Sequence, residues 1–382
     1  MPLKKNTSLI DQNKQLLDVF QSHFIGLLNL ARIRLVCLFI SSLCLVKSVN
    51  FTKLSSGFDT QSKASSNFRR IQRFISQVHL PMMLISKIIF SLLPEQEKLV
   101  LILDRTNWKF GDKNINILML AISYKNIAFP LMFRMLDKRG NSNTQERISL
   151  IEDFIAYFGK EVIDCLLADR EFIGEDWQNF LNTNGIQYHI RIRDNFKIFN
   201  PRKQKEMYAW HLFNSLKIGQ IRHYPKIVKM HGEYCYISGI KTIKDGKLDF
   251  CLIVSFNKPD QAINYYAKRW QIETLFKGLK KSGFNLEETH VVHLERLEKL
   301  LMLVMVAFVW CYNVGDYIDQ NIKSIQIKTH GRRAISIFRY GLDYISECLL
   351  SGFNKLNINI IRFLSCTKRC CACCATRYFK SI

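Results

Sequence analysis

Four side chains in the segment YYAKRWQIETLFKGLKK have the types and the spacing to act on phosphate groups. Counted from Tyr266, the others are Arg269, Glu273 and Lys280, at offsets of three, seven and fourteen residues. On one helix of about 3.6 residues per turn these offsets fall within a narrow arc, which predicts a single polar stripe. A carboxylate flanked by a phenol and two cations suits a metal-dependent enzyme that acts on a nucleic-acid backbone. The spacing also fits a surface helix with ion pairs such as Arg269 with Glu273, and the stripe alone does not decide between the two.

Two further carboxylates follow apolar runs that predict buried strands. Asp104 comes directly after LVLIL, and Asp169 comes directly after Ile163–Ala168. If these strands are parallel neighbours, both carboxylates emerge at the same edge of a sheet, and a helix packed across that edge could bring Glu273 to them. Three converging carboxylates are costly unless cations neutralise them. Such oxygen ligands suit two Mg²⁺ or Mn²⁺ ions about 4 Å apart, an arrangement that supports in-line displacement at phosphorus.

The charge balance points to a polyanionic partner. The chain has 382 residues with 55 lysines and arginines against 32 acids, a formal charge of +23. This excess favours nucleic acid over a membrane as the partner. The first fifteen residues lack an apolar h-region, so no secretory signal is expected. The apolar runs 33–46 and 300–311 are too short to span a bilayer and predict buried helices of a soluble cytoplasmic protein.

The twelve cysteines fall into two groups. Seven are scattered, mostly in apolar runs, and are expected to be small buried thiols. Five crowd the C-terminal segment without paired C-x-x-C spacing, and a disordered, reduced tail is favoured there over a zinc site. These five are Cys366, Cys370, Cys371, Cys373 and Cys374.

The order of the predicted elements indicates a mixed α/β protein. Residues 1 to about 95 are expected to be helical, and the helix over 64–77 carries Arg69 and Arg73 on one face. That face is equally typical of a DNA-contacting helix and of a solvated basic surface. Asn143 and Glu146 are expected to form a capping box at the start of a helix that ends near residue 158. The predicted strands of the core are 99–103, 116–124, 128–136, 163–168, 186–192 and 250–254.

With these motifs the chain resembles the bacterial insertion-sequence transposases of family four. They are the DDE group with the signature Y-x2-R-x3-E-x6-K, where x is any residue. The matches are LDRTNWKFG around Asp104, LLADREFIG around Asp169, and the complete signature from Tyr266 to Lys280. The segments GNSNTQER, EETH and THGRRAISIFRYGLDYI also look familial, and the resemblance covers roughly residues 64–366. The tail from Thr367 does not resemble a family ending.

The resemblance implies an α/β fold with an RNase H-like mixed-sheet core, a β-rich insertion, and flanking helical N- and C-terminal regions. Asp104 would lie on the first strand, Asp169 after the fourth, and Glu273 on a late helix. The implied domains are a helical DNA-binding region at 1–95, the first part of the catalytic core at 96–194, the insertion at 195–249, the second part with the signature helix at 250–315, and a helical region with the cysteine-rich tail at 316–382.

The resemblance also implies an activity, cut-and-paste transposition through hairpin ends. The three acids would hold two divalent cations, Mg²⁺ or Mn²⁺, and Tyr266, Arg269 and Lys280 would hold DNA near the cut. The implied partners are transposon-end DNA and target DNA, with the protein a homodimer when both ends are paired. Related enzymes stack a flipped base on an aromatic residue of the insertion, and Trp210 is the candidate here, against packing in the subdomain core as the alternative.

Two other functions remain open at this point. An RNase H-like nuclease would use the three acids but would hydrolyse DNA without joining strands, and it would not need the signature spacing. A catalytically silent DNA-binding protein would recognise the transposon ends and do no chemistry. Metal-dependent cleavage separates the enzymes from the silent binder, and strand joining separates the transposase from the nuclease.

Overall fold

The computed structural model describes residues 7–24, 26–94, 96–329, 331–351 and 358–365. The chain divides into two compact units. The helical unit comprises Met1–Glu95, Trp108–Lys113 and Phe276–Ile382, and the sheet unit comprises Gln96–Asn107 and Asn114–Leu275. The five C-terminal cysteines lie outside the described residues.

Eleven α-helices and eleven strands are formed by the described residues. The helices are α1 (Thr7–Phe24), α2 (Leu30–Val46), α3 (Phe51–Ser56), α4 (Ala64–Gln77), α5 (Met82–Leu92), α6 (Thr144–Phe158), α7 (Glu175–Thr183), α8 (Ala262–Ala267), α9 (Gln271–Lys280), α10 (Leu294–Asn321) and α11 (Ile337–Leu350). The strands are β1 (Leu99–Phe110), β2 (Lys113–Tyr124), β3 (Ile127–Met135), β4 (Ile163–Ala168), β5 (Tyr188–Ile192), β6 (Lys197–Asn200), β7 (Lys205–Tyr208), β8 (Ile221–His223), β9 (Val228–Met230), β10 (Glu233–Lys244) and β11 (Lys247–Ser255).

One mixed sheet organises the strands and confirms the mixed α/β class. The strand order is β3-β2-β1-β4-β5-β11-β10-β9-β6-β7, with β8 paired to β10. β1 pairs in parallel with β4, and β4 pairs in parallel with β5. Antiparallel pairing joins β2 with β3, β5 with β11 and β10 with β11, and it continues through the short strands β6 to β9. Parallel strands are usually covered on both faces, and the run Leu101–Leu103 is fully buried accordingly.

The strand β1 is longer than the sequence predicts. We expected it to end at Leu103, with Asp104 just beyond it, but the strand continues through Asp104 to Phe110. The second half lacks a continuous apolar run, and of its residues only Trp108 is buried. Pairing with β2 keeps this half extended. Asp104 therefore lies inside a strand, where the ladder restrains its backbone.

Local signals for α6 are confirmed. Asn143 accepts a hydrogen bond from the Glu146 amide at 2.8 Å, and Glu146 accepts one from the Asn143 amide at 2.7 Å, forming the expected capping box. This reciprocal pair satisfies two of the amides that a helix start leaves without a partner. The helix ends at Phe158, as predicted.

The single helix predicted for the signature segment is wrong. The segment consists of α8, a 3-10 turn over Lys268–Trp270, and α9. Arg269 lies in the 3-10 turn, where the tighter winding changes its direction relative to a continuous helix. The prediction of the apolar side is confirmed, because Ile272, Leu275, Phe276 and Leu279 are all buried.

Residues 195–249 contain short strands and turns. They form β6 to β10 and the first residues of β11. Trp210 lies in a 3-10 helix over Ala209–Leu212 and is half-buried, with ring centroids 4.1 Å from His211 and 6.3 Å from Phe250. The indole thus packs against its neighbours while keeping part of its surface exposed.

The helical unit is built around α10. This helix has 28 residues, so the expectation that its apolar run is too short to span a membrane does not hold for the whole helix. By length and composition α10 alone could cross a membrane, and the bent pair α4 and α5 could together, but 83% of the apolar window of α10 is buried inside the protein. Such burial is typical of a core helix.

Two glycines allow α10 and α11 to approach closely. A Cβ atom at Gly341 would lie 1.8 Å from the carbonyl oxygen of Cys311, and one at Gly315 would lie 2.1 Å from that of Ile337. Any side chain there would overlap with backbone rather than with a movable side chain. The contact between these helices therefore depends on both glycines.

The variant Gly341→Ala should lower the free energy of unfolding by about 3 kcal/mol or more, because the helices must separate to admit the methyl group. Chemical denaturation followed by circular dichroism measures this. Leu350→Ala is the control on the same helix, since Leu350 is 74% exposed and its truncation should cost less than about 0.5 kcal/mol. Equal denaturation midpoints for the two variants would contradict the close-packing interpretation.

Candidate functional site

The parallel pair β1 and β4 brings two acids to one region of the sheet. Leu103 of β1 is the register partner of Ala168 of β4. Asp104 and Asp169 follow these partners directly, so both emerge on neighbouring strands at the same level. The condition on which the sequence argument depended, that these strands are parallel neighbours, is met. Like charges placed this close disfavour each other's charged form unless positive charge lies nearby.

Two polar contacts fix the signature segment to the sheet. The hydroxyl of Tyr265 in α8 donates to Asp164 Oδ2 of β4 at 2.7 Å, and the Tyr265 ring stacks on His189 with centroids 5.2 Å apart. Ser123 of β2 donates to Gln271 Oε1 at the start of α9 at 2.8 Å. The 3-10 turn lies between these contacts, so its position relative to the strands is set from both sides.

Arg269 connects two of the candidate acids. Its guanidinium donates to Asp104 Oδ2 at 2.9 Å through NH1 and to Glu273 Oε1 at 2.9 Å through NH2. The Arg269 side chain is 5% exposed, and that of Glu273 is 45% exposed. A single buried cation thus holds a strand carboxylate and a helix carboxylate together. The ion pair of Arg269 with Glu273 that the sequence suggested is one half of this bridge.

Tyr266 joins the third acid to the same group. Its hydroxyl donates to Asp169 Oδ1 at 3.0 Å, and its ring packs against Ile253 and Ala262. The guanidinium of Arg269 lies 5.7 Å from the centre of the Tyr266 ring. Burial raises the pKa of Tyr266, so the phenol keeps its proton and acts as a hydrogen-bond donor.

Asp104 lies in surroundings that change its pKa. Burial raises its pKa to about 6, while the charge of Arg269 and the Arg105 amide act in the opposite direction. The nearby charges of Asp169 and Glu171 raise the pKa further. Both oxygens of Asp104 accept hydrogen bonds, since Oδ1 also receives the Arg105 amide at 2.7 Å. The carboxylate is therefore held in one orientation and is responsive to nearby positive charge.

Lys280 has a different set of contacts. It belongs to the helical unit, where its ammonium pairs with Glu287 at 3.2 Å and lies 5.1 Å from the centre of the Trp108 ring. Burial lowers the pKa of Lys280, and the bond with Glu287 opposes this. The acids, Tyr266 and Arg269 form one network in the sheet unit, whereas Lys280 is a residue of the helical unit.

Three residues of this region were not singled out by their sequence pattern. Trp270 follows Arg269, is 58% exposed, and has its ring centre 5.0 Å from that guanidinium. Arg105 follows Asp104 and donates to Glu171 Oε1 at 3.2 Å. The available signal was a charged side chain within two residues of Asp104 and of Asp169, in LDR and ADRE. An ion pair between those two segments was invisible because it depends on strand pairing.

The three candidate acids offer carboxylate oxygens as donors. Carboxylate oxygens are the ligands that Mg²⁺ and Mn²⁺ prefer, and the guanidinium of Arg269 shows that Asp104 and Glu273 can share one positive charge. Among the described residues, no group of three or more His, Cys, Asp or Glu side chains is arranged to hold a metal ion. The carboxylates instead take their hydrogen bonds from Arg269, Tyr266 and the Arg105 amide.

Comparison with known proteins assigns the family. No curated protein matches the chain. Among solved structures the chain is similar to a piggyBac transposase seen by cryo-EM in a synaptic complex with hairpin DNA, at 14% identity over 95% of this chain and 84% of that chain, with a TM-score of 0.42. The family described as Transposase DDE domain matches residues 95–310, more than half of the 382 residues, so the chain belongs to the transposase DDE domain family.

Proposed function

We propose that the protein is a DNA transposase of an insertion sequence, in family four with the Y-R-E-K signature. The observation that carries this proposal is the network in which Arg269 joins Asp104 to Glu273 while Tyr266 joins Asp169. Three acids from distant parts of the chain meet two signature residues in one unit. The family match to a transposase DDE domain agrees with it.

An RNase H-like core is part of the proposal. The antiparallel pair β3 and β2 lies beside β1 in the sheet, and β1 is followed by β4 and β5, which are parallel to it. Asp104 lies on the first strand and Asp169 directly after the fourth, as the resemblance implies. The domain boundaries at residues 95, 194, 249 and 315 belong to the same proposal, with 195–249 as the β-rich insertion.

Asp104, Asp169 and Glu273 would hold two divalent cations, Mg²⁺ or Mn²⁺. Cations held there would supply charge stabilisation for the attacking and leaving oxygens at the scissile phosphate. The protein contributes the rest. Burial around Asp104 strengthens electrostatic interactions, and the restraints on its carboxylate keep the ligand oxygens in a fixed orientation.

The proposed reaction is cut-and-paste transposition through hairpin ends. Water attacks the phosphorus at the transposon end, the P–O3′ bond breaks, and a 3′-hydroxyl is released. That hydroxyl attacks the opposite strand, closing a hairpin and releasing flanking DNA. Water reopens the hairpin, and the excised 3′-hydroxyl then attacks target DNA. Each step exchanges one phosphodiester P–O bond for another or for a hydrolysed end, so one set of acids serves all four.

Tyr266, Arg269 and Lys280 would hold the DNA backbone near the cut. Lys280 offers a point charge, whereas Arg269 offers a planar fork suited to phosphate. Both terminal nitrogens of Arg269 are bonded to acids in the free protein. A phosphate reaches them only when those bonds are exchanged, which links the phosphate role of Arg269 to the charge state of the acids.

The helix α4 is the proposed DNA-contacting element of the N-terminal region. Its sequence ASSNFRRIQRFISQ contains three arginines and no acid. Arg32 of α2, with Arg70 and Arg73 of α4, lines a shallow cavity of about 350 Å³. Arginines clustered beside a solvent-exposed recess provide the charge that a phosphate backbone attracts. The proposal includes transposon-end DNA and target DNA as the partners, and no membrane.

Pairing of two transposon ends requires two copies of the protein. We therefore include a homodimer on DNA in the proposal, with the protein in the bacterial cytoplasm and associated with the nucleoid through DNA.

Glu273→Gln should reduce cleavage of DNA bearing the ends that flank the gene by at least about a hundredfold, because a proposed ligand of the cations that stabilise the transition state is lost. Asp104→Asn and Asp169→Asn should behave alike. Cleavage with Mg²⁺, hairpin formation and strand joining are measured on denaturing gels, and end binding by gel shift should persist.

The matched control is Glu152→Gln, which removes an exposed acid from α6 and should cleave normally. Normal turnover in any of the three site variants would refute the proposed site. Nicks without strand joining in the unaltered protein would favour a nuclease, and end binding without cleavage would favour a silent binder.

Arg269→Gln should tighten Mn²⁺ binding to the free protein by about tenfold, because the internal cation that occupies Asp104 and Glu273 is removed. Electron paramagnetic resonance of free Mn²⁺ measures this. Cleavage of end DNA should fall in the same variant, since glutamine cannot replace the guanidinium at the phosphate. Arg134→Gln is the control, because Arg134 is also an ion-paired arginine of the sheet unit. Unchanged Mn²⁺ affinity in Arg269→Gln would contradict the idea that Arg269 and a divalent cation compete for Asp104 and Glu273.

Replacing Arg69 and Arg73 together with glutamine should weaken end-DNA binding. The slope of log affinity against log salt should fall by about two, because two phosphates are no longer neutralised. Fluorescence anisotropy over a salt series measures both quantities. Lys160→Gln combined with Lys323→Gln removes the same charge from exposed positions outside α4. If both double variants shift the slope equally, α4 is only a solvated basic surface.

A further inference from the structure

An ion pair links the chain segments that follow the two strand acids. Arg105 is the next residue after Asp104, and Glu171 is two residues after Asp169. Nε of Arg105 donates to Glu171 Oε1 at 3.2 Å, and NH2 donates to Oε2 at 3.3 Å. The side chains are 14% and 23% exposed. A two-pronged pair with this burial fixes distance and angle, unlike the single contacts of most surface pairs.

The Arg105 guanidinium also bonds to two asparagines outside the segments that follow the acids. NH1 donates to Asn116 Oδ1 at 3.1 Å, and NH2 donates to Asn141 Oδ1 at 3.2 Å. Asn116 is 2% exposed and donates to the carbonyl oxygens of Lys138 and Gly140 at 3.1 and 3.0 Å. The connection between β3 and α6 is therefore tied to the same guanidinium.

A second arginine holds the backbone on the Glu171 side. Arg147 of α6 is 5% exposed, and its Nε donates to Ser142 Oγ at 2.8 Å. Its NH2 donates to the carbonyl oxygens of Ser142 at 2.5 Å and of Glu171 at 3.1 Å. The backbone of Glu171 is thus fixed by one arginine and its carboxylate by another.

These contacts act on the acids through short covalent paths. The Arg105 amide donates to Asp104 Oδ1 at 2.7 Å, so a rotation of the Arg105 backbone would also move the carboxylate. Asp169 is separated from Glu171 by one residue. Glu171 also adds a negative charge close to Asp104, and its pairing with Arg105 neutralises that charge without using an oxygen of Asp104 or Asp169.

Every nitrogen of the Arg105 guanidinium has a bonded partner within the sheet unit. Glu171 and the two asparagines are none of the candidate metal ligands. A role for Arg105 in binding phosphate would require breaking several of these bonds at once. The bonds of Arg105 suit a residue that holds the neighbouring backbone segments in place.

We infer that Arg105 and Glu171 are positioning residues that set the separation of the Asp104 and Asp169 carboxylates and thereby the affinity of this pair for divalent cations. They touch neither DNA nor the reacting atoms and act through the backbone next to each acid. The inference rests on the proposed function for its catalytic consequence, while its consequence for cation binding is measurable on the free protein.

The test compares Arg105→Met, Arg105→Lys and Glu171→Gln with the unaltered protein. We expect Arg105→Met to weaken Mn²⁺ binding to the free protein and to lower kcat on end DNA by about 10- to 100-fold each, the usual effect of removing a residue that orients metal ligands. KM for end DNA should stay within about twofold, because the residues proposed to bind phosphate are kept. Arg105→Lys should recover only part of the affinity, since lysine cannot form the two-pronged pair.

Arg134→Met is the matched control, because Arg134 pairs with Asp153 and also donates a second bond, to Ser149, in the same unit. It should leave Mn²⁺ affinity and kcat unchanged. Unchanged Mn²⁺ affinity in Arg105→Met overturns the inference, and so does a rise in KM alone, which would make Arg105 a DNA-binding residue. Mn²⁺ affinity and kcat could also decrease equally in Arg105→Met and Arg134→Met, with equal drops in melting temperature. That result would mean that the Arg105–Glu171 ion pair contributes only to general stability, and it would also overturn the inference.

The two proposals fail in different ways. If the unaltered protein binds Mn²⁺ but never cleaves end DNA, the transposase activity fails while the Mn²⁺ comparison still decides the positioning role. If the unaltered protein binds no Mn²⁺, both the proposed function and the positioning role of Arg105 and Glu171 are refuted.

Discussion

The architecture of the sheet unit depends on compensating the charge of acids placed side by side. The parallel register of β1 with β4 puts Asp104 and Asp169 on adjacent strands, and Glu171 follows closely. Burial and these like charges raise the pKa of Asp104. An uncompensated carboxylate in such surroundings favours its protonated form. Arg269, a residue of the same unit, supplies positive charge that acts to lower the pKa of Asp104.

The positive charge of Arg269 comes from the 3-10 turn between α8 and α9. Tyr266 lies three residues earlier, in α8, and the Arg269 guanidinium lies beside its ring. From there Arg269 reaches the strand acid Asp104 and still forms the bond four residues on with Glu273. A continuous helix would point all the signature residues to one side, in the direction that the sequence suggested.

The parts of the fold that were predictable are those that short-range patterns decide. The apolar run 163–168 gives β4 without error, and Asn143 with Glu146 gives the start of α6. The extension of β1 to Phe110 was not predictable, because pairing with β2 rather than hydrophobicity maintains it. Nor does the segment YYAKRWQIE contain a glycine or proline to mark the break. The sequence predicted which residue types belong to the candidate site. It did not predict the hydrogen bonds and ion pairs among them, because those depend on tertiary contacts.

Arg105 and Arg269 both lie next to the acids, but they differ in the partners to which their guanidinium groups donate. The partners of Arg105 are Glu171, Asn116 and Asn141, none of which is a candidate metal ligand, so nothing in the proposed reaction requires those bonds to break. The partners of Arg269 are Asp104 and Glu273, both candidate ligands, so its bonds must exchange whenever those oxygens take another cation. In the proposed reaction, Arg105 would keep the backbone beside the acids in place while Arg269 exchanges its bonds. The acids would then change their counter-ion while the Arg105 contacts stay intact.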